Sequence, residues 1–206
     1  MAEIVYVLTN EAMDGLVKIG RTSTSVEQRI KELDNTSIPL PFQCFFAGEV
    51  QDSVKTESLL HSTFSDKRVR NNREFFRVDA NQVRSAILIA NPTDVTPKTD
   101  VVVDISDVKA MQKASIASEK RSKLKFSELG IPIGAKLTFV KDAACISTVV
   151  KDGEVNFDDQ ILSTSKAALL ALKKRGIEWS TVNGNDYWNF EDETLTARRL
   201  RLEDEQ

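Results

Sequence analysis

The sequence predicts an α+β protein made of two small domains, and three observations carry that expectation. Short runs rich in β-branched and aromatic residues alternate with helix-like runs over residues 1–91. A polar stretch punctuated by Asn91-Pro92-Thr93 and Pro97-Lys98-Thr99 follows over 92–126, and the strand-and-helix pattern resumes over 127–206. A chain of 206 residues is long enough to give each part its own core.

In the first part, Ile4 to Leu8 and Leu16 to Gly20 are apolar runs on either side of the turn-like segment from Asn10 to Gly15, so they read as paired strands. Ser25 is placed to cap a helix over 26–34, with Gln28 three residues on and an apolar stripe of Val26, Ile30 and Leu33. Pro39 and Pro41 interrupt the chain, and Phe42 to Ala47 has the aromatic content of a buried third strand. Ser53 is the expected cap of a second helix, in which Glu57, Leu60, His61 and Phe64 share one face at i, i+3, i+4 and i+7. Glu74 to Val78 reads as a strand and Ala80 to Ala90 as a closing helix. The expected order is β-β-α-β-α-β-α, a mixed sheet of three to four strands with flanking helices. The stretch 92–126 reads as a linker, in which 108–125 has good helix formers but a weak apolar stripe.

In the last part, 137–140, 146–150 and 155–157 are expected strands, with Asp152-Gly153 as a hairpin signal. Ser163 to Lys174 reads as a helix stopped by Gly176. Trp179, Tyr187, Trp188 and Phe190 add aromatic bulk near the end.

Composition excludes several classes. With 41% hydrophobic and 29% charged residues the chain is neither disordered nor fibrous. No run approaches the roughly 18 apolar residues of a membrane span, and the first residues lack a basic flank and long apolar stretch, so a cytoplasmic protein is expected. Cys44 and Cys145 are far apart with no Cys/His cluster, which signals neither a zinc site nor a disulfide scaffold, and both are expected as small core residues. The net charge of −3 gives no support for holding nucleic acid over the whole surface. Locally, Lys67, Arg68, Arg70, Arg73 and Arg77 fall within eleven residues, with Glu74 the one acid among them. That stretch is either a solvated basic loop or a phosphate-binding one.

Val5-Tyr6-Val7, Lys18-Ile19-Gly20, Arg29 and Glu57 occur in an order that resembles the GIY-YIG nuclease superfamily. There a first strand bears a tyrosine, a second strand bears Y-I-G, an arginine follows on the next helix and a glutamate lies on a later one. The similarity is greatest to a branch with phage-derived members described as DNA-binding, in which V-Y-V, K-I-G-x-T, E-x-x-L-H-x-x-F and a terminal E-F-F-like strand recur. Those pieces stand here as Val5 to Val7, Lys18 to Thr22, Glu57 to Phe64 and Glu74 to Phe76. The resemblance implies a metal-dependent endonuclease acting on DNA, RNA not being excluded, in which Glu57 holds one Mg²⁺ or Mn²⁺. A single carboxylate suits Mg²⁺, which keeps most of its waters. It further implies that Arg29 clamps the scissile phosphate and that Tyr6 positions or deprotonates the attacking water. Lys18 replaces the second tyrosine, where an ammonium lowers the Tyr6 pKa or contacts phosphate.

Around this set, His61 is either an orienting or proton-donating group beside Glu57 or a core histidine bonded to backbone. Arg21 reaches phosphate or forms a salt bridge. Arg68, Arg70 and Arg73 are candidate contacts to the nucleic-acid backbone. One site per chain leads to the expectation of a homodimer or of sequential nicking.

The last part resembles a small domain associated with restriction systems, through Gly130 to Leu137, the Asp152-Gly153 hairpin, the helix from Ser163 and Asn183 to Trp188. That resemblance implies a restriction or phage-defence setting and a DNA-reading module, with Trp179, Tyr187 and Trp188 as candidate stacking residues. The other reading of these aromatics is the core of a small domain. The rival to cleavage is a nucleic-acid-binding or protein-interaction module on the same fold, motivated by Lys18 and by the pI near 5.4.

Overall fold

The structure is a computed structural model that describes residues 2–35, 38–101, 104, 107–114 and 125–205. It divides into two compact units, Met1–Val108 and Lys109–Gln206. Each holds an antiparallel sheet with helices, so the α+β class is as the sequence predicts.

The first unit is built around strand β1 (Ile4–Thr9), which is buried over Ile4 to Leu8 because it has a strand on each side and helices over its faces. It pairs with β2 (Val17–Thr22) and β3 (Gln43–Glu49). Outside these, β4 (Phe75–Phe76) pairs with β2 and β5 (Thr93–Asp94) with β3, giving the order β4-β2-β1-β3-β5. The sheet therefore has five strands, and every pairing is antiparallel, where a mixed sheet of three to four was expected. The added strand comes from the stretch read as linker: Val95 N–H also donates to Ala47 O at 2.9 Å, which ties residues 93–95 to the sheet.

Helix α1 (Val26–Leu33) is capped by Ser25, whose hydroxyl accepts from Gln28 N–H at 3.1 Å, as the capping signal predicts. Its Val26 and Ile30 pack with Ile4, Tyr6, Leu8, Phe42 and Cys44 on one face of the sheet. Helix α2 (Ser53–Thr63) starts one residue away from the expected cap. Asp52 is the cap, accepting from Lys55 N–H at 2.8 Å, while Ser53 donates its N–H to the Glu3 carboxylate at 2.8 Å and its hydroxyl to the same group. A carboxylate caps as well as a hydroxyl, and Glu3 draws Ser53 away. Helix α3 (Ala80–Leu88) is capped by Asp79.

In the second unit the sheet order is β11-β10-β6-β7-β8-β9, with β6 Lys136–Phe139, β7 Asp142–Lys151, β8 Glu154–Phe157, β9 Gln160–Ser163, β10 Trp188–Phe190 and β11 Glu193–Thr194. Helices α4 (Thr164–Lys173) and α5 (Leu195–Asp204) complete it. Ser163 caps α4, and Gly176 adopts φ +72° just past its end, the left-handed stop its position predicts. Trp188 is fully buried between Phe139 and Phe157, both edge-on, and donates its indole N–H to Thr164 O at 3.0 Å. Gly184 lies against the start of α4: a Cβ there would come within 2.2 Å of Thr164 and Ser165 backbone atoms. Of the candidate linker helix, 107–114 is helical, and 115–124 lies outside the described residues.

Cys44 is buried, as expected, whereas Cys145 on β7 is half-buried. Among the described residues no helix is long and apolar enough to cross a membrane.

Candidate active site

The site grows from an incomplete strand. β4 pairs only with Val17 and Lys18 of β2, so beyond Ile19 that edge of β2 carries no further strand among the described residues. An open cleft of about 320 Å³ lies there, lined by Arg21, Thr22, Ser23, Thr24, Arg29, Glu32, Glu57 and Glu74. The sequence reading brings Arg21, Arg29 and Glu57 to it.

Tyr6 and Gly20 face each other across the β1–β2 ladder, and the tyrosine ring lies so close to the glycine that an added Cβ would meet its hydroxyl at 2.6 Å. The glycine of Lys18-Ile19-Gly20 thus makes room for the phenol. Tyr6 is buried and is not among the cleft-lining residues. Its hydroxyl accepts from Arg29 Nε at 3.3 Å, so it supports the arginine from beneath. Burial pushes the phenol pKa above its ordinary value; Arg29 works against this, and the Glu74 and Glu57 carboxylates add to it. The hydrogen bond with Tyr6, together with Glu32, raises Arg29. Arg29 also reaches Glu32 at 3.2 Å.

Glu57 lies on the first half of α2, 19% exposed at its side chain, and Arg21 Nε meets its Oε2 at 3.2 Å. Arg21 therefore forms the salt bridge the sequence offered as one alternative, within the cleft itself. The donor set fits a divalent cation that keeps most of its waters, since Arg21 engages one oxygen of Glu57 and Glu57 opens on the cleft. Among the described residues there is no cluster of three or more His, Cys, Asp or Glu of the kind an all-protein cage requires.

Lys18 does not line the cleft. It is buried, with 8% of its side chain exposed, and pairs with Glu74, while its ammonium lies 5.6 Å from the Phe75 ring centre. For Glu74, burial pulls the pKa upward. The Lys18 hydrogen bond and charge prevail, with His61 and Arg29 adding to them, and hold the carboxyl below the usual glutamate range. Glu74 is thus an ionised carboxylate at the cleft where the sequence pointed to the lysine behind it. Sequence reasoning passed it over as part of an E-F-F strand, although it is the one acid in a stretch of five cations. Glu32 was missed too, for want of any signal beyond an exposed helix position.

His61 sits one turn beyond Glu57 but outside the cleft. Its Nε2 lies 3.1 Å from Ile19 O and its ring 5.1 Å from that of Phe76, which is the core-histidine geometry. A carbonyl accepts only, so Nε2 carries the proton and ties α2 to β2. Arg68 is likewise occupied, lying over the Phe76 ring at 5.5 Å and donating Nε to Arg73 O at 2.7 Å. Arg70 and Arg73 are exposed.

Residues 3–90 match the T5orf172 domain. This is a nuclease-like domain type, and the matched span contains every residue of the cleft. No match is found among the curated proteins or the solved structures.

In the second unit the aromatic candidates divide. Tyr187 and Trp188 are buried, so they are core and not a stacking surface. Trp179 is half-buried, edge-on to Tyr187, with the Lys141 ammonium 5.3 Å from its ring centre.

Proposed function

We propose that the first unit hydrolyses phosphodiester bonds of DNA with the help of one divalent cation. The observation that carries this reading is the convergence of Arg29, Arg21 and Glu57 in one open cleft, with Tyr6 locked beneath Arg29. Mg²⁺ or Mn²⁺, when held by Glu57, supplies positive charge to the phosphate oxygens and favours ionisation of water nearby.

The rest of the chemistry belongs to the chain. Arg29, held at Nε by Tyr6 and at Nη1 by Glu32, offers its other guanidinium N–H groups to the phosphate and neutralises the charge that grows there. Arg21 orients Glu57 and adds a second cation at the rim. Tyr6, with its proton retained by burial, is a positioning residue for Arg29 and not a phenolate base. Glu74 is the ionised carboxylate placed to accept the proton of the attacking water as its oxygen bonds to phosphorus, while the sugar oxygen whose bond to phosphorus breaks takes its proton from solvent in the open cleft. Lys18 keeps Glu74 ionised and in place. His61 holds α2 in register, which sets where Glu57 points.

Cutting both strands then takes two copies or two successive nicks. A restriction or phage-defence setting is the one proposed, with the second unit supplying recognition through a surface that includes Trp179. A second reading, binding without catalysis, is favoured by the engaged Lys18 in place of a tyrosine.

The test is incubation of supercoiled plasmid and of modified and unmodified phage DNA with Mg²⁺, Mn²⁺ or EDTA. Metal-dependent nicking that Arg29→Ala and Glu57→Gln abolish, in folded protein, is the expected result. Salt-sensitive binding with no nicking on any substrate establishes the second reading instead.

A further inference from the structure

Residues 67–77 form a two-stranded hairpin on the free side of β4. Arg68 bridges Phe76, Val69 N–H donates to Phe75 O at 3.0 Å, and Arg77 N–H donates to Lys67 O at 2.8 Å. Its tip is closed by Arg73 N–H to Arg70 O at 3.0 Å, which leaves Asn71 and Asn72 as the central residues of a β-turn. The brace of Arg68 over Phe76 and onto Arg73 O fixes the tip from within. The structure therefore presents a preorganised projection whose four tip side chains, Arg70, Asn71, Asn72 and Arg73, are all exposed.

Charge pairing sets this tip apart. Several arginines elsewhere are matched to carboxylates, Arg21 to Glu57, Arg29 to Glu32, Arg175 to Asp142, Arg198 to Glu193 and Arg201 to Glu205, while Arg68 and Arg84 lie over the Phe76 and Phe46 rings. Among the described residues, the side chains of Arg70 and Arg73 have no such partner, and the amides of Asn71 and Asn72 are equally unengaged. In a chain whose acids outnumber its cations, these two guanidinium groups remain open to an external anion.

We propose that this hairpin enters the major groove of duplex DNA, with Arg70 and Arg73 on the flanking phosphates and Asn71 and Asn72 on base edges. The inference rests on the reading of the cleft as a phosphodiester site. A two-stranded ribbon fits the major groove, which is about 12 Å wide, and an asparagine amide matches the N6 and N7 edge of adenine. Arg70 precedes Glu74 by four residues, so the tip lies within about 14 Å of the cleft, the reach of four extended residues. Phosphates held at the cleft and a groove read by the hairpin are thus neighbours on one duplex. The narrow major groove of A-form RNA does not admit such a ribbon, which makes DNA the partner. Phosphate contacts set register and base contacts set sequence, so the arginines position and the asparagines specify.

The experiment is selection from a random-sequence DNA duplex library by the full chain in EDTA, followed by titration of the enriched duplex. The wild type is expected to enrich adenine-containing sites, and 7-deazaadenine at those sites to weaken binding roughly 5- to 100-fold. The Asn71→Ala/Asn72→Ala variant is expected to lose the preference and keep the salt dependence. Arg70→Ala/Arg73→Ala weakens binding to all sequences and lowers the salt slope by about two. Because these positions are exposed, unchanged melting confirms that each variant is folded. Salt-sensitive duplex binding without enrichment, or an asparagine variant that enriches the wild-type sequence, overturns groove reading and leaves the cleft reading standing. Failure of the wild type to bind any duplex overturns both.

Discussion

The two units use similar architecture and treat their charged residues in opposite ways. In the second, Arg198 reaches both Glu191 and Glu193, Arg201 reaches Glu193 and Glu205, and Arg175 pairs with Asp142. These are closed networks that brace α5 and α4, and two of its large aromatics, Tyr187 and Trp188, are spent on the core. In the first, charges converge on an open cleft, a tyrosine is buried under an arginine, and two further arginines on a hairpin tip have no carboxylate partner among the described residues. The contrast teaches that an ion pair is informative by its placement. Pairs at a cleft leave groups poised for a ligand, and pairs across a helix face leave none.

Paired substitutions sharpen that comparison. The largest stability effect is expected from Gly184→Ala, because the new methyl meets backbone at 2.2 Å and backbone cannot move aside. A loss of about 3 kcal/mol or more is expected, read as early melting of the second unit with cleavage chemistry in the first unit retained. Gly20→Ala meets the end of the Tyr6 side chain instead, at 2.6 Å. It is expected to cost about 1–3 kcal/mol in denaturant unfolding and to displace Arg29, so that cleavage falls further than stability does. A variant that loses stability alone would break the link between Tyr6 and the cleft.

Glu74→Gln comes next. It strands the buried Lys18 ammonium and is expected to cost about 1–3 kcal/mol near neutral pH. Because the folded Glu74 pKa is depressed, this contribution is complete above the ordinary glutamate value of about 4.3 and is lost as pH falls through the lower folded value. Wild type and variant should therefore converge in acid, which urea titrations across that range would show. The rate profile separates the two candidate bases. If Glu74 takes the proton, cleavage reaches its plateau well below neutral pH. A rate still climbing near pH 10 or above would point to Tyr6 as phenolate, given its raised pKa. The smallest effect is expected for Trp179→Ala, under about 1 kcal/mol of stability, since the ring is only half-buried.

How much was legible in the sequence follows from what each signal depends on. Tyr6 and Arg29 come together because strand alternation and helix periodicity put Tyr6, Val26 and Ile30 on one packing face, and such patterns are local. The Lys18–Glu74 pair joins residues 56 apart through β4, a strand of only two residues, and no local pattern announces it. The hairpin from 67 to 77 was legible in one half: Glu74 to Val78 reads as a strand, but its partner Lys67-Arg68-Val69-Arg70 has one apolar residue among three cations. Helix α5 was passed over because arginines and acids crowd its sequence, and only Leu195, Thr196, Ala197 and Leu200 are buried. Its Thr194 cap was the available signal. The aromatics near the end were ambiguous in sequence because a core and a stacking platform need the same side chains, and burial alone separates them.

The central claim is that the cleft on the first unit performs metal-assisted phosphodiester hydrolysis through Glu57 and Arg29. Its most direct test is the single-turnover nicking rate of supercoiled plasmid as Mn²⁺ is titrated, for the wild type and for Glu57→Gln. A metal-dependent wild-type rate that falls by roughly 10²-fold or more in the folded variant is the predicted result. Equal rates in the two proteins would contradict the account.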